Sequence, residues 1–167
     1  HDSHRRQRQM CIRDRTGAGI CAMHMQGTPK TMQVNPTYES VVEEIHAYLE
    51  DRRNALISAG IALESVCLDP GIGFGKTHSH NIELIKNASK FLDLGCPILI
   101  GHSRKGFLGK LIKQTLHRDA SLHDRDIATA ATACSLADHG IHILRVHDVA
   151  TVRLLSLIHI SEPTRQP

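Results

Sequence analysis

The feature that most constrains the fold of this chain is a fourfold alternation of short apolar segments with longer segments of helical character. The short segments are apolar on both faces, and no turn of hairpin length joins two of them. Such strands are typical of parallel β/α units. They are predicted at 19–25, 65–68, 97–100 and 141–146. We therefore predict an α/β fold in which four parallel strands alternate with helices, a pattern that occurs in α/β barrels and in open α/β sheets. Four such units are half the number in a (β/α)8 TIM barrel.

The segments between the strands carry apolar residues at helical spacing. Three of these segments are followed by glycine, at Gly60, Gly95 and Gly140, a residue that commonly ends a helix. The predicted helices span about 37–59, 80–94, 107–113, 124–138 and from 150 onward.

Each predicted strand ends in polar residues or glycine. The four clusters read MHMQG, DPG, GHSRK and RVHD in chain order. In a parallel sheet the carboxyl ends of the strands open on one side, where α/β barrels and open α/β sheets bind their ligands. We therefore expect these four clusters to form one site.

The loop at 69–76, with the sequence DPGIGFGK, is the most distinctive of these clusters. Asp69 ends a buried strand, so its carboxylate is expected at the rim of the core. Glycine lets a ligand approach the backbone closely, and Phe74, between Gly73 and Gly75, is placed to cover a flat ligand. The alternative is an acidic residue at a strand end followed by an ordinary turn.

Two further clusters predict an anion site. Arg104 and Lys105 stand at the start of a predicted helix, where the dipole already supplies positive charge, so an anionic ligand would explain them. Ser103 could cap that helix. Arg145 and His147 lie two residues apart at a strand end, so they should point the same way and suit a phosphate or diphosphate. The alternatives are a solvated Lys105 and an Arg145 paired with a rim carboxylate such as Asp148. Together these residues suit a planar polar heterocycle that carries phosphate.

The net charge of +3 does not indicate a nucleic-acid binder. Residues 1–15 contain five Arg against two Asp, which accounts for the whole excess, and 16–155 are neutral. A nucleic-acid binder should carry its basic residues on a folded face. Both ends, 1–15 and 156–167, resemble translated sequencing-adapter DNA, so we interpret them as foreign to a single partial barrel domain at 16–155.

Membrane and metal-binding classes are also disfavoured. No stretch approaches the roughly 20 apolar residues of a membrane span. The five cysteines are scattered and odd in number, which suits a reducing cytoplasm, and the histidines show no metal-ligand spacing.

The chain resembles the dihydropteroate synthases of folate biosynthesis. The resemblance covers essentially all of 16–155 and rests on MHMQGTPKTMQ, LDPGIGFGKT, GHSRKGFLG and RVHDV. It implies the C-terminal half of an eight-stranded pterin-binding barrel, a cytoplasmic homodimer and a sulfonamide target. The implied reaction joins p-aminobenzoate to hydroxymethyl-dihydropterin diphosphate and releases diphosphate, with Mg²⁺ as cofactor.

The resemblance also implies roles for individual residues. Asp69 would hydrogen-bond the pterin, Lys105 would reach the pterin carbonyl and the p-aminobenzoate region, and Met23, Gly73 and Phe74 would line the pterin slot. The residues implied to bind p-aminobenzoate are Ser103, Arg104 and Lys105, and the residues implied to bind the diphosphate are Arg145 and His147. The implied catalytic residues are Asp69, Lys105, Arg145 and His147.

The chain also departs from this family. The first four strands of the barrel are absent from the sequence, and with them the loop expected to bind Mg²⁺. We therefore expect the isolated chain to be inactive, although the parent enzyme is a synthase. Two alternatives remain: a methyltetrahydrofolate-binding barrel of a methyltransferase, which would not need the anion site, and a non-catalytic fragment.

Overall fold

The computed structural model describes the backbone of residues 17–160 and the side chains of residues 17–155. Within that part, strands and helices alternate along the chain, and two 3₁₀ segments occur at Leu63–Ser65 and Ala88–Leu94. The strands are β1 (Ile20–Met23), β2 (Val66–Asp69), β3 (Leu99–Ile100) and β4 (Ile143–Leu144). The helices are α1 (Val41–Ser58), α2 (His78–Lys86), α3 (Gly106–Leu116), α4 (Leu122–Asp138) and α5 (Val149–Ile160).

The strand pairings of the described residues are parallel. β1 pairs with β2, with Met23 opposite Asp69, and β3 pairs with β4. A single parallel bridge between Leu68 and Ile98 connects the two pairs. The strands therefore follow one another in chain order, and the prediction of four parallel strands alternating with helices is confirmed.

The core lies between the strands and the helices that cover one face of the sheet. Ile45 and Leu49 of α1 are fully buried there, as are Leu68 and Ile98 of the sheet region. The spacing of the apolar residues in α1 thus predicted the buried face over the first half of the helix, whereas Ile57 near its end is exposed. A smaller cluster joins Ala130 and Ala133 of α4 to Val152 of α5, because small side chains let these helices approach closely.

Several predicted boundaries were wrong. The helix expected from 37 begins at Val41, because the backbone N–H groups of Glu39 and Ser40 donate to Glu44 Oε1, at 2.7 and 3.0 Å, and hold the preceding residues outside the helix. The helix expected over 80–94 is instead α2 followed by 3₁₀ turns. The break follows Asn87, whose side chain donates to Glu83 O at 2.9 Å.

Other elements differ in length. The predicted strand 141–146 is reduced to the two residues of β4, and the predicted helix 107–113 runs on to Leu116. The last helix continues to Ile160, past the predicted boundary at 156, whereas the predicted extension 1–15 lies outside the described residues. No helix of the described part is long and apolar enough to cross a membrane.

Candidate functional site

Asp69 is the last residue of β2, and its side chain is almost fully buried. Its Oδ1 accepts a 2.7 Å hydrogen bond from the Gly71 N–H, and its Oδ2 lies 3.7 Å from Arg145 Nη2. Burial raises the pKa of Asp69, while the Gly71 N–H, Arg145 and nearby lysines oppose that rise. The parallel alignment places Asp69 beside the half-buried Met23, so the structure brings these two predicted pterin-facing residues together.

The loop after β2 packs so closely that none of its three glycines can be replaced without strain. Gly71 has φ +72°, and a Cβ there would lie 1.9 Å from the carbonyl oxygen of His24. Gly73 has φ +81°, and a Cβ there would lie 2.6 Å from Lys105 Cδ. Asn81 fixes the same turn, because its Oδ1 accepts from Gly73 N at 2.6 Å. The loop is therefore tight and rigidly supported, as its composition predicts.

Lys105 joins this loop from the neighbouring unit. It stands immediately before α3, and its ammonium donates to the carbonyl oxygen of Ile72. The same nitrogen lies 4.0 Å from the centroid of the Phe74 ring, a cation–π contact. Burial lowers the pKa of Lys105 to about 8, although Asp69 acts in the opposite direction. The Lys105 ammonium therefore interacts electrostatically with both the Phe74 ring and the Asp69 carboxylate.

Ser103 and His147 meet across the ends of β3 and β4. Ser103 Oγ accepts from the His147 backbone N–H at 3.2 Å and lies 2.8 Å from its Nδ1. The prediction that Ser103 caps the following helix was wrong: Lys105 occupies the cap position, and no side chain caps the backbone there. Ser103 is instead turned toward the strand ends because the His147 backbone requires an acceptor.

Arg145 is exposed and reaches over the sheet toward Asp69. A Cβ at Gly101 would lie 2.8 Å from its Nη2, so the absence of a side chain at Gly101 gives the guanidinium room to cross. The alternative of an Arg145 paired with a rim carboxylate is therefore realised, with Asp69 rather than Asp148 as the partner. Asp148 instead accepts from both the backbone N–H and the hydroxyl of Thr151 at the start of α5. Arg145 therefore remains close to the rim with an exposed charged group.

Arg104 is the one predicted site residue that the structure does not bring into this cluster. It has φ +57°, and its guanidinium makes a bidentate pair with Asp126 of α4, at 2.6 and 3.1 Å. The backbone N–H of Arg104 donates to Thr129 Oγ1 at 3.1 Å. His102 Nε2 lies 2.9 Å from the Thr129 carbonyl oxygen. These bonds attach the turn that carries Ser103 and Lys105 to α4.

No role was assigned from the sequence to two buried residues at the rim, Lys76 and His24. Lys76 is 4% exposed, and its Nζ lies 3.0 Å from His24 Nδ1 and 2.9 Å from the Phe74 carbonyl oxygen. A lysine after a glycine-rich loop normally extends into solvent, and no periodic pattern covers this loop. The available signal was the motif itself, in which Lys76 and His24 stand beside residues that were assigned roles.

A cavity of about 670 Å³ lies between the loop after β2 and the start of α3. Phe74 and Lys105 line it on the side of the site, and Phe107 and Lys110 line it on α3. Further lining residues are Gln33, Pro36, Gly73, Lys76, Thr77, His78, Asn81 and Gly106. An aromatic ring, ammonium groups and an uncapped helix start suit a flat ligand that carries a negative group.

The described residues do not form a magnesium site. They include no group of three or more His, Cys, Asp and Glu side chains that could hold a metal ion. Asp69 is the carboxylate at the strand ends closest to the loop glycines, and one of its oxygens is already bonded to Gly71. Mg²⁺ usually binds through one or two carboxylates together with waters and substrate phosphates. The Asp69 carboxylate is buried and already accepts from Gly71, so it does not fit that role.

The chain is similar in sequence to one protein family and to several of its characterised members. The sequence profile of the pterin binding enzyme family matches residues 3–147. Dihydropteroate synthase from Haemophilus influenzae is 45% identical over 131 residues, which cover 78% of this chain and 46% of that protein. The Escherichia coli dihydropteroate synthase is 42% identical over 134 residues, which cover 80% of this chain and 45% of that protein. The chain thus spans about half the length of these curated relatives.

Solved structures show the same likeness. Dihydropteroate synthase from Thermus thermophilus in complex with 4-aminobenzoate superimposes with a TM-score of 0.82 at 33% identity, covering 93% of this chain and 61% of that one. The Yersinia pestis enzyme in a sulfonamide drug complex gives a TM-score of 0.81 at 35% identity, covering 88% and 52%. These matches confirm the expected α/β architecture as part of a larger barrel.

Proposed function

Because the chain belongs to the pterin binding enzyme family, we propose that it carries one part of the active site of a dihydropteroate synthase. The reaction joins the amine of p-aminobenzoate to the CH₂ group of hydroxymethyl-dihydropterin diphosphate. A C–N bond forms, the C–O bond to diphosphate breaks, and the amine releases a proton. The observation that carries the proposal is the convergence of a buried acid, Asp69, with the cations Lys105 and Arg145 at one edge of the parallel sheet.

The charges are arranged as this reaction requires. Loss of diphosphate from the CH₂ group creates positive charge on the pterin and negative charge on the leaving group. Asp69 is buried beside Met23, where a carboxylate can hydrogen-bond the pterin ring and stabilise its positive charge. Arg145 is exposed at the rim and directly follows β4, and His147 lies two residues further along the chain. A guanidinium at this position can bind diphosphate oxygens in bidentate fashion. The site accelerates the reaction by alignment and charge stabilisation, without a covalent intermediate.

We place p-aminobenzoate against Phe74 and Lys105. The ring of Phe74 and the ammonium of Lys105 line the cavity beside α3, and the start of that helix has no side-chain cap. A carboxylate can therefore accept from backbone N–H groups there. The resemblance also implied Ser103 and Arg104 as p-aminobenzoate ligands. Ser103 contacts His147 and Arg104 contacts Asp126 instead, so we propose that both residues support the site rather than bind this ligand.

The properties of the whole enzyme extend this proposal. We propose a cytoplasmic homodimer that sulfonamides inhibit by occupying the p-aminobenzoate position. Any Mg²⁺ would be held by residues outside the described part, so the steps above involve only this chain's own groups. Because the chain spans about half the length of its relatives, we also propose that it needs the rest of the barrel for turnover. The anion-binding pair Arg145 and His147 favours this reaction over methyl transfer from methyltetrahydrofolate.

A chimera tests the proposal directly. Residues 17–155 would replace the segment that they match in the Escherichia coli enzyme, and the product would be assayed for dihydropteroate formation and for growth of a strain that lacks the synthase. We expect activity in the chimera, none in the 167-residue chain alone, and loss of activity in the chimera with Arg145→Met. The chimera with Arg153→Met, which changes an exposed arginine of α5, is the matched control. A folded chimera that binds the pterin diphosphate but forms no product would refute the proposal.

A further inference from the structure

Four consecutive carbonyl oxygens of the loop after β2 each accept a hydrogen bond from a side chain. The pairs are Lys105 to Ile72 O, Gln33 to Gly73 O at 2.8 Å, Lys76 to Phe74 O at 2.9 Å and Tyr38 to Gly75 O at 2.7 Å. A backbone carbonyl outside helices and sheets takes its partner from side chains or from water. The conformation of residues 72–75 is therefore held by side chains rather than by backbone pairing.

Lys76 differs from the other three donors because it belongs to the loop itself and is 4% exposed. Its Nζ also lies 3.0 Å from His24 Nδ1, and a charged group is costly to bury unless such partners satisfy it. This burial is supplied by groups of the chain itself, so it does not depend on the surfaces that the rest of the barrel would cover. We propose that Lys76 is a positioning residue that holds the Phe74 carbonyl and thereby fixes the Phe74 ring for the arylamine substrate.

Phe74 is fixed through both its backbone and its ring. Its carbonyl oxygen accepts from Lys76, and its ring centroid lies 4.0 Å from Lys105 Nζ. The residues on either side are Gly73 and Gly75, with φ +81° and +62°. Glycine has wide conformational freedom, so a residue between two glycines keeps one orientation only where hydrogen bonds fix it. The bond from Lys76 therefore keeps the ring at the wall of the cavity that it shares with Lys105.

Two other roles for Lys76 make different predictions. A merely structural lysine would change the stability of the enzyme and leave the kinetic constants of the folded molecules unchanged. A purely electrostatic role would act through Asp69: burial raises the pKa of that carboxyl, and the Lys76 charge is among the groups that oppose the rise. That role would affect the pterin diphosphate, whereas a role through Phe74 would affect the arylamine.

A double-mutant cycle in the chimera separates these roles, and its kinetic part rests on the proposed function. Lys76→Met should lower kcat/KM for p-aminobenzoate by about tenfold to a hundredfold, mainly through KM, because a small displacement of an aligning group carries a cost of that size. The KM for the pterin diphosphate should change little. In a Phe74→Leu background the same change should have little further effect, because the ring that Lys76 positions is gone.

Lys86→Met, at an exposed position of α2, is the matched control and should leave all kinetic constants as in the parent chimera. Equal effects of Lys76→Met in the two backgrounds would overturn the proposal, as would an effect on the pterin diphosphate alone. Lys76→Gln, which removes the charge and shortens the donor, takes the place of Lys76→Met should that variant fail to fold.

Fluorine NMR of the 167-residue chain labelled with 4-fluorophenylalanine gives a readout that involves no turnover. The chain contains three phenylalanines, and Phe74→Leu identifies the resonance of Phe74. Lys76→Met should shift or broaden that resonance and leave the resonance of the fully buried Phe91 in place, whereas Lys86→Met should change neither. An unchanged Phe74 resonance in Lys76→Met would overturn the proposal. An inactive parent chimera would instead count against the proposed function, and the NMR result would still decide whether Lys76 positions Phe74.

Discussion

The Lys76 ammonium nitrogen lies 3.0 Å from Nδ1 of His24, and this contact joins the loop after β2 to the residue that follows β1. Both side chains are more than nine-tenths buried. Burial lowers the pKa of Lys76 to about 7 and that of His24 to about 4. The neutral imidazole is therefore the partner of Lys76 across the neutral pH range, and its Nδ1 can accept a hydrogen bond.

Lys76 should make folding stability depend on pH. Its pKa is about 7 in the folded chain and near 10.5 when unfolded, so between these values the unfolded state binds more protons. The free energy of unfolding should therefore rise with pH from about 7 to 10.5. Lys76→Met should remove part of this slope, and Lys86→Met, at an exposed position of α2, should not. Urea unfolding at several pH values measures the slopes; equal slopes for the parent and Lys76→Met would contradict the prediction.

Gly71→Ala should be far more destabilising than Gly60→Ala. Both glycines have positive φ, +72° and +83°, so both substitutions carry the backbone cost of about 1–2 kcal/mol. A Cβ at Gly60 meets nothing within 4 Å, whereas one at Gly71 meets the His24 carbonyl oxygen at 1.9 Å. We expect Gly71→Ala to cost about 2 kcal/mol more in the free energy of unfolding. Comparable urea midpoints for the two variants would show that the loop relaxes freely.

Thr129→Val should destabilise the turn that carries Ser103 and Lys105. The buried Thr129 hydroxyl accepts from the backbone N–H of Arg104 at 3.1 Å, and valine would leave that backbone donor without its partner. The expected cost is about 1–3 kcal/mol. Thr132→Val is the matched control, because the Thr132 hydroxyl donates only within α4, to Ala128 O. Urea unfolding compares the two variants, and we expect the Thr132 change to cost less than about 1 kcal/mol.

Arg145→Met should weaken the binding of diphosphate by about tenfold or more, because a charge-assisted hydrogen bond contributes about 1.5–3 kcal/mol. Isothermal titration of the folded chain with inorganic diphosphate measures the affinity, and its decline with added salt should be smaller in the variant. Arg153→Met should bind as the parent does. Equal affinities for the parent and Arg145→Met would remove Arg145 from the anion site.

Much of this architecture follows from local sequence patterns. Strands that are apolar on both faces and separated by amphipathic helices permit few arrangements other than a parallel sheet. This pattern predicted the shared edge at which Asp69 and Arg145 meet. The glycines of 71–75 likewise indicated a close-packed loop, because positive φ and missing side chains are local properties. Element ends were less predictable, since they depend on single side-chain bonds such as that of Asn87 to Glu83 O.

Tertiary structure decided which charged groups are buried and which partner each one takes. Arg104 and Lys105 are adjacent and chemically alike in sequence, yet Arg104 pairs with Asp126 of α4 and Lys105 reaches Ile72 O and the Phe74 ring. Lys76 is buried against His24 although nothing in its neighbourhood marks it as a core residue. These pairings join residues far apart in the chain, and a charge finds its lowest free energy with whichever partner the packing brings within reach. The sequence alone determined the order of the strands and the chemistry at their ends, and the packing determined how each side chain is used.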